Sequence, residues 1–268
     1  MVLFAGLDLG STSTKAVFLD EHGTLIGAKI VPTGGNFRKS AERTLHALLD
    51  KTCFTLDDLG AIVSTGYGRF ISGFNTKAMS EITCCARGAY HLLPTVRTVI
   101  DIGGQDSKVI KLDSRGRVIQ FALNDKCAAG AGKFLERIAA SLELDLEKMA
   151  ELSMQSSKKL PISTQCTVFA EAEVISRISN GEPLEGIVKG IHSALADRIF
   201  TLMTGLNIEK DIMICGGGAK NGGLVKELEG LLGEIVLPQE IDPRFVTAIG
   251  AALLARDLKR RDGSPAPQ

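Results

Sequence analysis

The feature that most restricts the fold is a gapless internal repeat: Asp8-Leu9-Gly10 recurs 93 positions later as Asp101-Ile102-Gly103. At the same spacing Lys15 falls on Lys108, Val17 on Ile110, Leu19 on Leu112, Asp20 on Asp113, Gly23 on Gly116 and Leu25 on Val118. Each copy reads as an apolar strand, a polar Gly-containing turn, a second strand of alternating apolar residues, a Gly turn and a third strand. That pattern predicts two three-stranded antiparallel meanders. After the first meander, apolar spacing predicts a helix over 37–53, a short buried strand over 61–63 and a helix over 79–93. The last must end before Pro94, because the αR region is disfavoured for a residue preceding proline. The domain boundary is set there, at 1–93 and 94–268. The second part is expected to hold helices over 128–140, 146–155, 167–180, 184–206, 221–232 and 244–260 and a strand over 211–215, with 263–268 frayed.

Composition narrows the class. Apolar residues make up 44% and charged residues 23%, which is ordinary folded-protein usage. Lys plus Arg equal Asp plus Glu at 31 each, so no broad basic field exists to hold a nucleic acid. The longest apolar stretch near the end, 245–255, falls short of the roughly 20 residues that span a bilayer, and no membrane association is expected. The apolar start, Met1 to Asp8, lacks a basic leader and reads as a buried strand of a cytoplasmic protein. Six cysteines with no Cys-x-x-Cys pair do not make a disulfide scaffold.

In Asp8-Leu9-Gly10-Ser11-Thr12-Ser13-Thr14-Lys15 a strand delivers a carboxylate, a Gly, hydroxyls, amides and a Lys able to face phosphates. One such segment fits a polar β-turn equally well. The second copy, Asp101-Ile102-Gly103-Gly104-Gln105-Asp106-Ser107-Lys108, offers the same chemistry, and two carboxylates with two hairpins suit a Mg2+-polyphosphate. A third segment, Cys215-Gly216-Gly217-Gly218-Ala219-Lys220-Asn221, leaves a strand for a helix and lets backbone approach a base or ribose. Neither the P-loop nor the dinucleotide-binding glycine signature is present.

In order and spacing these three segments resemble the phosphate-1, phosphate-2 and adenosine motifs of the acetate and sugar kinase, heat-shock chaperone and actin superfamily. The resemblance implies an α/β fold: two RNase H-like, actin-like ATPase domains, mixed sheets flanked by helices, with ATP in the cleft between them. Nucleotide contacts would then come from Ser11 to Lys15, Gly103, Gly104, Gly130, Ala131 and Gly216 to Gly218. Asp8 and Asp101 would sit near the metal, and Gln105 would orient the attacking water. Ala248-Ile249-Gly250-Ala251-Ala252 also fits, as a tail helix whose small residues permit close packing.

Cys127, in Asn124-Asp125-Lys126-Cys127-Ala128-Ala129-Gly130, and Cys166, in Cys166-Thr167-Val168-Phe169-Ala170-Glu171, both stand at expected helix starts. Free amides there stabilise a thiolate and would also suit an anionic iron–sulfur cluster. The same placement fits two cysteines that merely pack. Two cysteines of one chain cannot complete a four-thiolate cluster, whereas two chains supply four. Cys53, Cys84, Cys85 and Cys215 read as packing residues, and His22, His46, His91 and His192 as surface or hydrogen-bonded residues without metal-ligand spacing. The run 256–262 reads as a solvated helix end.

Around the two cysteines, and at Gly132-Lys133-Phe134-Leu135-Glu136 and Ser64-Thr65-Gly66-Tyr67-Gly68-Arg69, the chain resembles the activators of 2-hydroxyacyl-CoA dehydratases and the related ATPase subunits of benzoyl-CoA reductase. That resemblance implies a homodimer with one [4Fe-4S] cluster held by Cys127 and Cys166 of each chain. It further implies ATP hydrolysis coupled to delivery of electrons from a ferredoxin or flavodoxin to an acyl-CoA dehydratase. A small-molecule kinase with structural cysteines is the alternative of a different class, and a non-redox ATP-dependent switch is a third.

Overall fold

The computed structural model describes residues 1–124, 130–162 and 167–262. Two compact units emerge: residues 1–96, 112–118 and 240–268 form one, and residues 97–111 and 119–239 the other.

The first unit carries a sheet in the order β3-β2-β1-β4-β5. Its strands are β1 (Leu3–Leu9), β2 (Ser13–Leu19), β3 (Leu25–Pro32), β4 (Leu59–Thr65) and β5 (Lys77–Ala78). β1 and β2 pair antiparallel with Asp8 opposite Lys15, and β4 runs parallel to β1 with Thr65 opposite Asp8. The strand period of two divides β1 between two cores. Leu3, Ala5, Leu7 and Leu9 pack with Ala41, Leu45 and Leu48 of α1 (Phe37–Thr52). On the other face Phe4, with Ala61 and Val63, meets α2 (Glu81–Leu92) and α8 (Val246–Asp262) through Cys84, Ala251 and Ala255. Glycine is required where these layers touch. A Cβ on Gly250 would lie 1.7 Å from the Cys84 carbonyl oxygen, and one on Gly6 2.0 Å from that of Ala248. The small residues of 248–252 therefore bring α8 onto α2 and β1, as the sequence suggested.

The second unit carries a sheet in the order β8-β7-β6-β9, from β6 (Thr98–Ile102), β7 (Ser107–Leu112), β8 (Val118–Asn124) and β9 (Ile212–Cys215). β6 and β7 pair antiparallel with Asp101 opposite Lys108, and β9 runs parallel to β6 with Cys215 opposite Asp101. Five helices bury one continuous core with Ile100 and Ile102. They are α3 (Gly132–Ser141), α4 (Leu146–Gln155), α5 (Thr167–Ser179), α6 (Leu184–Leu202) and α7 (Gly222–Leu232).

Both meanders are present, and their far turns match atom for atom. Asp20 Oδ1 accepts the amides of His22 and Thr24, and Asp113 Oδ1 those of Arg115 and Arg117. These amide bonds hold both carboxyls below the usual range, Asp113 at about 2.

Four expectations need correction. The helix expected over 128–140 begins at Gly132 among the described residues, because the Gly132 and Lys133 amides bond to the Gly103 and Gly104 carbonyls at 2.9 and 2.7 Å. The helix from Leu184 stops at Leu202, and Leu206 joins the core from the following turns. The last helix is preceded by a 3-10 turn, Pro243–Phe245, closed by Asp242. Arg256, read as solvated, is buried in the first unit beside Gly23.

Candidate functional site

The head of each meander is the candidate site, and the same backbone logic builds both. Asp8 and Asp101 end apolar strands, are buried, and face a lysine across the first hairpin. Lys15 Nζ lies 2.9 Å from Asp8, while Lys108 Nζ lies 2.8 Å from Asp106 and 3.6 Å from Asp101. The parallel neighbour strand then adds a glycine over each carboxylate. Gly66 follows β4 at φ +87 and Gly216 follows β9 at φ +81. A Cβ would fall 2.9 Å from Asp8 Oδ1 in one case and 2.5 Å from Asp101 Oδ1 in the other. The repeat thus extends from the hairpins to the loops that cover them.

Within the first hairpin the hydroxyls divide. Ser40 Oγ donates to Thr14 Oγ1 at 2.9 Å, Thr14 meets Thr33 at 3.0 Å, and Thr33 donates to the Gly10 carbonyl at 2.7 Å, so Thr14 is spent in a buried chain that braces the turn. Thr12 Oγ1 has the opposite situation: it is shielded from solvent and has no hydrogen-bond partner among the described residues. A buried donor left alone costs about 1–3 kcal/mol, and a phosphate oxygen would satisfy it. Ser11 and Ser13 are half-buried beside it.

In the second unit Gly103 and Gly104 form the turn, Gln105 is exposed at its tip, and Ser107 Oγ donates to the Gly130 carbonyl at 2.6 Å. Ala131 is buried and precedes α3. The segment that opens α3 is therefore tied to the second hairpin at Gly130, Gly132 and Lys133. A short 3-10 turn, Gly217–Lys220, follows Gly216, and Asn221 caps α7 by accepting the Leu224 amide. A side chain on Gly218 would strike Ile102, whereas Gly217 faces open space, so the backbone there is bare to a ligand.

Cys127 and Cys166 lie outside the described residues. Among the described cysteines, Cys84, Cys85 and Cys215 are buried, and burial pushes the Cys84 thiol up to about 12. Cys53 is the exposed left-handed cap of α1. His192 departs from expectation. It is buried in α6 against Gly223, both ring nitrogens lack a partner among the described residues, and burial lowers its pKa to about 4. No local pattern in the sequence distinguishes it, since its neighbours arrive from α4 and α7. Among the described residues no helix is long and apolar enough to cross a membrane.

Known proteins resemble this chain in sequence and in fold. The chain is 44% identical over 256 residues to the activator of lactoyl-CoA dehydratase of Anaerotignum propionicum, spanning 96% of this chain and 98% of that protein. Its structure matches the activator of the 2-hydroxyisocaproyl-CoA dehydratase of Clostridium difficile, solved with bound ADPNP. That match has a TM-score of 0.92 at 38% identity, covering 100% of this chain and 99% of the other. A match at 17% identity and TM-score 0.60 to the ethanolamine utilization protein EutJ of Carboxydothermus hydrogenoformans, over 94% and 90% of the two chains, carries the fold alone. The α/β class, mixed sheets flanked by helices in the manner of actin-like ATPases, is borne out. The family model for the BadF/BadG/BcrA/BcrD ATPases matches residues 5–255, and the chain belongs to that ATPase family.

Proposed function

We propose that this ATPase is the electron-injecting activator of a 2-hydroxyacyl-CoA dehydratase, working as a cytoplasmic homodimer with one [4Fe-4S] cluster held by Cys127 and Cys166 of each chain. The observation that carries the reading is the tie between the phosphate-2 hairpin and the start of α3, which begins five residues after Cys127. A second tie joins the other cysteine's helix. On α3, Arg137 pairs at 2.7 Å with Glu171 of α5, which also accepts from Ser141 Oγ, and α5 begins at the residue after Cys166. A change at Gly103 and Gly104 is thereby passed to both segments.

Fit to the cluster rests on the donors that are left. Cys84, Cys85 and Cys215 are buried in the cores and Cys84 is a poor thiolate, while the segments around Cys127 and Cys166 are the ones that resemble the activators, so these two are proposed as the ligands. Homodimerisation is supported by outward apolar residues on the two elements bordering them: Ile119, Phe121 and Leu123 on β8, and Phe169, Ile175 and Ile178 on α5. A bound cluster would supply one low-potential electron per cycle, accepted from a ferredoxin or flavodoxin.

This chain's own residues do the rest. Asp8 and Asp101 are the carboxylates assigned to Mg2+, and Thr12 with the Gly10 and Gly103-Gly104 turns takes the phosphates. The bare backbone at Gly217 takes the adenosine, and Gln105, exposed at the hairpin tip, orients water. The test is anaerobic iron analysis with the visible spectrum. Cys127→Ser and Cys166→Ser should each lose the iron and weaken the dimer, with Cys53→Ser unchanged. A full iron complement in either variant overturns the assignment.

A further inference from the structure

We propose that Arg69 is a catalytic residue of ATP hydrolysis, supplying positive charge to the terminal phosphoryl group from the loop that covers Asp8. The inference concerns hydrolysis only and stands whether or not electrons are injected. Its first support is position. Gly66 lies directly over Asp8, the Gly68 amide donates to the Leu9 carbonyl at 3.1 Å, and Ile71 N bonds to Gly68 O at 2.9 Å. Residues 66–71 are thus built onto the phosphate-1 hairpin.

The second support is how the residue is held, main chain and side chain. Ser64 Oγ, buried on β4, donates to the Arg69 carbonyl at 2.6 Å. Arg69 Nη1 donates to the Gly66 carbonyl at 3.1 Å, and the guanidinium carbon stands 4.5 Å from the centre of the Phe70 ring. Fixing an arginine this way costs side-chain entropy, which a freely solvated surface residue would keep.

The third support is charge. Among the described residues no carboxylate pairs with Arg69, whereas Lys15 and Lys108, the cations of the two hairpins, are both engaged by aspartates. In the equivalent loop over Asp101, Gly216-Gly217-Gly218-Ala219, an alanine stands where Arg69 does. In hydrolysis the water oxygen bonds to the γ-phosphorus and the bond from that phosphorus to the β–γ bridging oxygen breaks. ADP leaves with the electron pair and the water proton passes to phosphate or solvent. In the transition state charge is spread over the equatorial γ-oxygens and develops on the bridging oxygen that leaves with ADP, where a preorganised guanidinium acts.

The experiment uses the full chain, purified anaerobically, and compares kcat, KM for ATP and MgADP affinity in wild type, Arg69→Ala, Arg69→Gln and Arg69→Lys. Gln can keep the hydrogen bond to Gly66, so it separates charge from loop anchoring. An arginine of this kind is worth about 10³–10⁵ in kcat, so Ala and Gln should each lose at least about 100-fold with MgADP affinity changed less than about threefold, and Lys should recover part. Lys148→Ala, an exposed change on α4, should match wild type. A kcat loss below about tenfold in Gln, or a loss of MgADP affinity as large as the loss of kcat, overturns the proposal.

Discussion

Asp8 and Asp101 occupy the same register position in two copies of one meander, yet the charge around them is arranged differently. In the first unit one lysine closes on one aspartate, at 2.9 Å. In the second, Lys108 lies between two, 2.8 Å from Asp106 and 3.6 Å from Asp101. The covering loops differ in the same sense, since Gly66 leads into Arg69 whereas Gly216 leads into two further glycines and Ala219. One backbone frame has been tuned twice, for charge in the first unit and for open backbone in the second. The frame is set by strand register and the two positive-φ glycines, while the chemistry is set by what the loops carry.

Removing the carboxylates is the largest test of whether the two heads are functional equivalents. Asp8→Asn and Asp101→Asn should each lower Mg-dependent turnover by about 100-fold or more, the scale of losing one preorganised electrostatic group. Steady-state hydrolysis by the purified chain measures this. If only one variant is impaired, the repeat is a folding frame with a single catalytic carboxylate.

The buried polar groups extend the contrast. In the first unit Thr14, Thr33 and Ser40 satisfy one another while Thr12 Oγ1 is left without a partner among the described residues, and in the second unit the titratable His192 is left the same way. Its folded pKa, about 4, lies below the ordinary histidine value of 6.5, so the unfolded chain takes up the proton first as pH falls. Stability should therefore decline below pH 6.5 and level off below about 4, by about 3 kcal/mol in all. Denaturant unfolding of His192→Leu should lack that component across the same window. An unchanged pH dependence would mean that the imidazole is already paired in solution.

The sequence displayed the meanders because strand period and turn glycines are local, and it displayed the family because the cysteine segments are contiguous. What it hid depends on partners distant in the chain. Nothing local relates Gly66 to Gly216, since their loops share little beyond that glycine; only β4 and β9 pairing onto β1 and β6 brings them to equivalent places. The start of α3 is hidden in the same way, because Gly103 and Gly104, nearly thirty residues earlier, take the Gly132 and Lys133 amides. Likewise α8 joins the first unit through backbone approach at Gly6, Gly88 and Gly250, a match between three separated glycines.

The smallest expected effect resolves the comparison most finely. In Asp8→Asn the amide can still accept from Lys15, but the ammonium, whose side chain is 15% exposed, loses its counter-charge. Stranding a buried charge costs about 3–5 kcal/mol in full, and partial escape of a lysine head to water reduces that to about 2. Asp101→Asn leaves Lys108 still bonded to Asp106 and should cost about 1 kcal/mol, closer to the value of one ion pair. The two differ by too little for single variants to decide, so the lysines are removed as well. Asp8→Asn with Lys15→Met deletes both members of a closed pair and should recover most of the stability lost by Asp8→Asn alone. Asp101→Asn with Lys108→Met should fall further, because it abandons Asp106 in a buried position. Urea midpoints for these five chains, wild type included, would show the added lysine change recovering stability in the first head and costing stability in the second. The same response in both would mean that the aspartate at position 106 does not distinguish them.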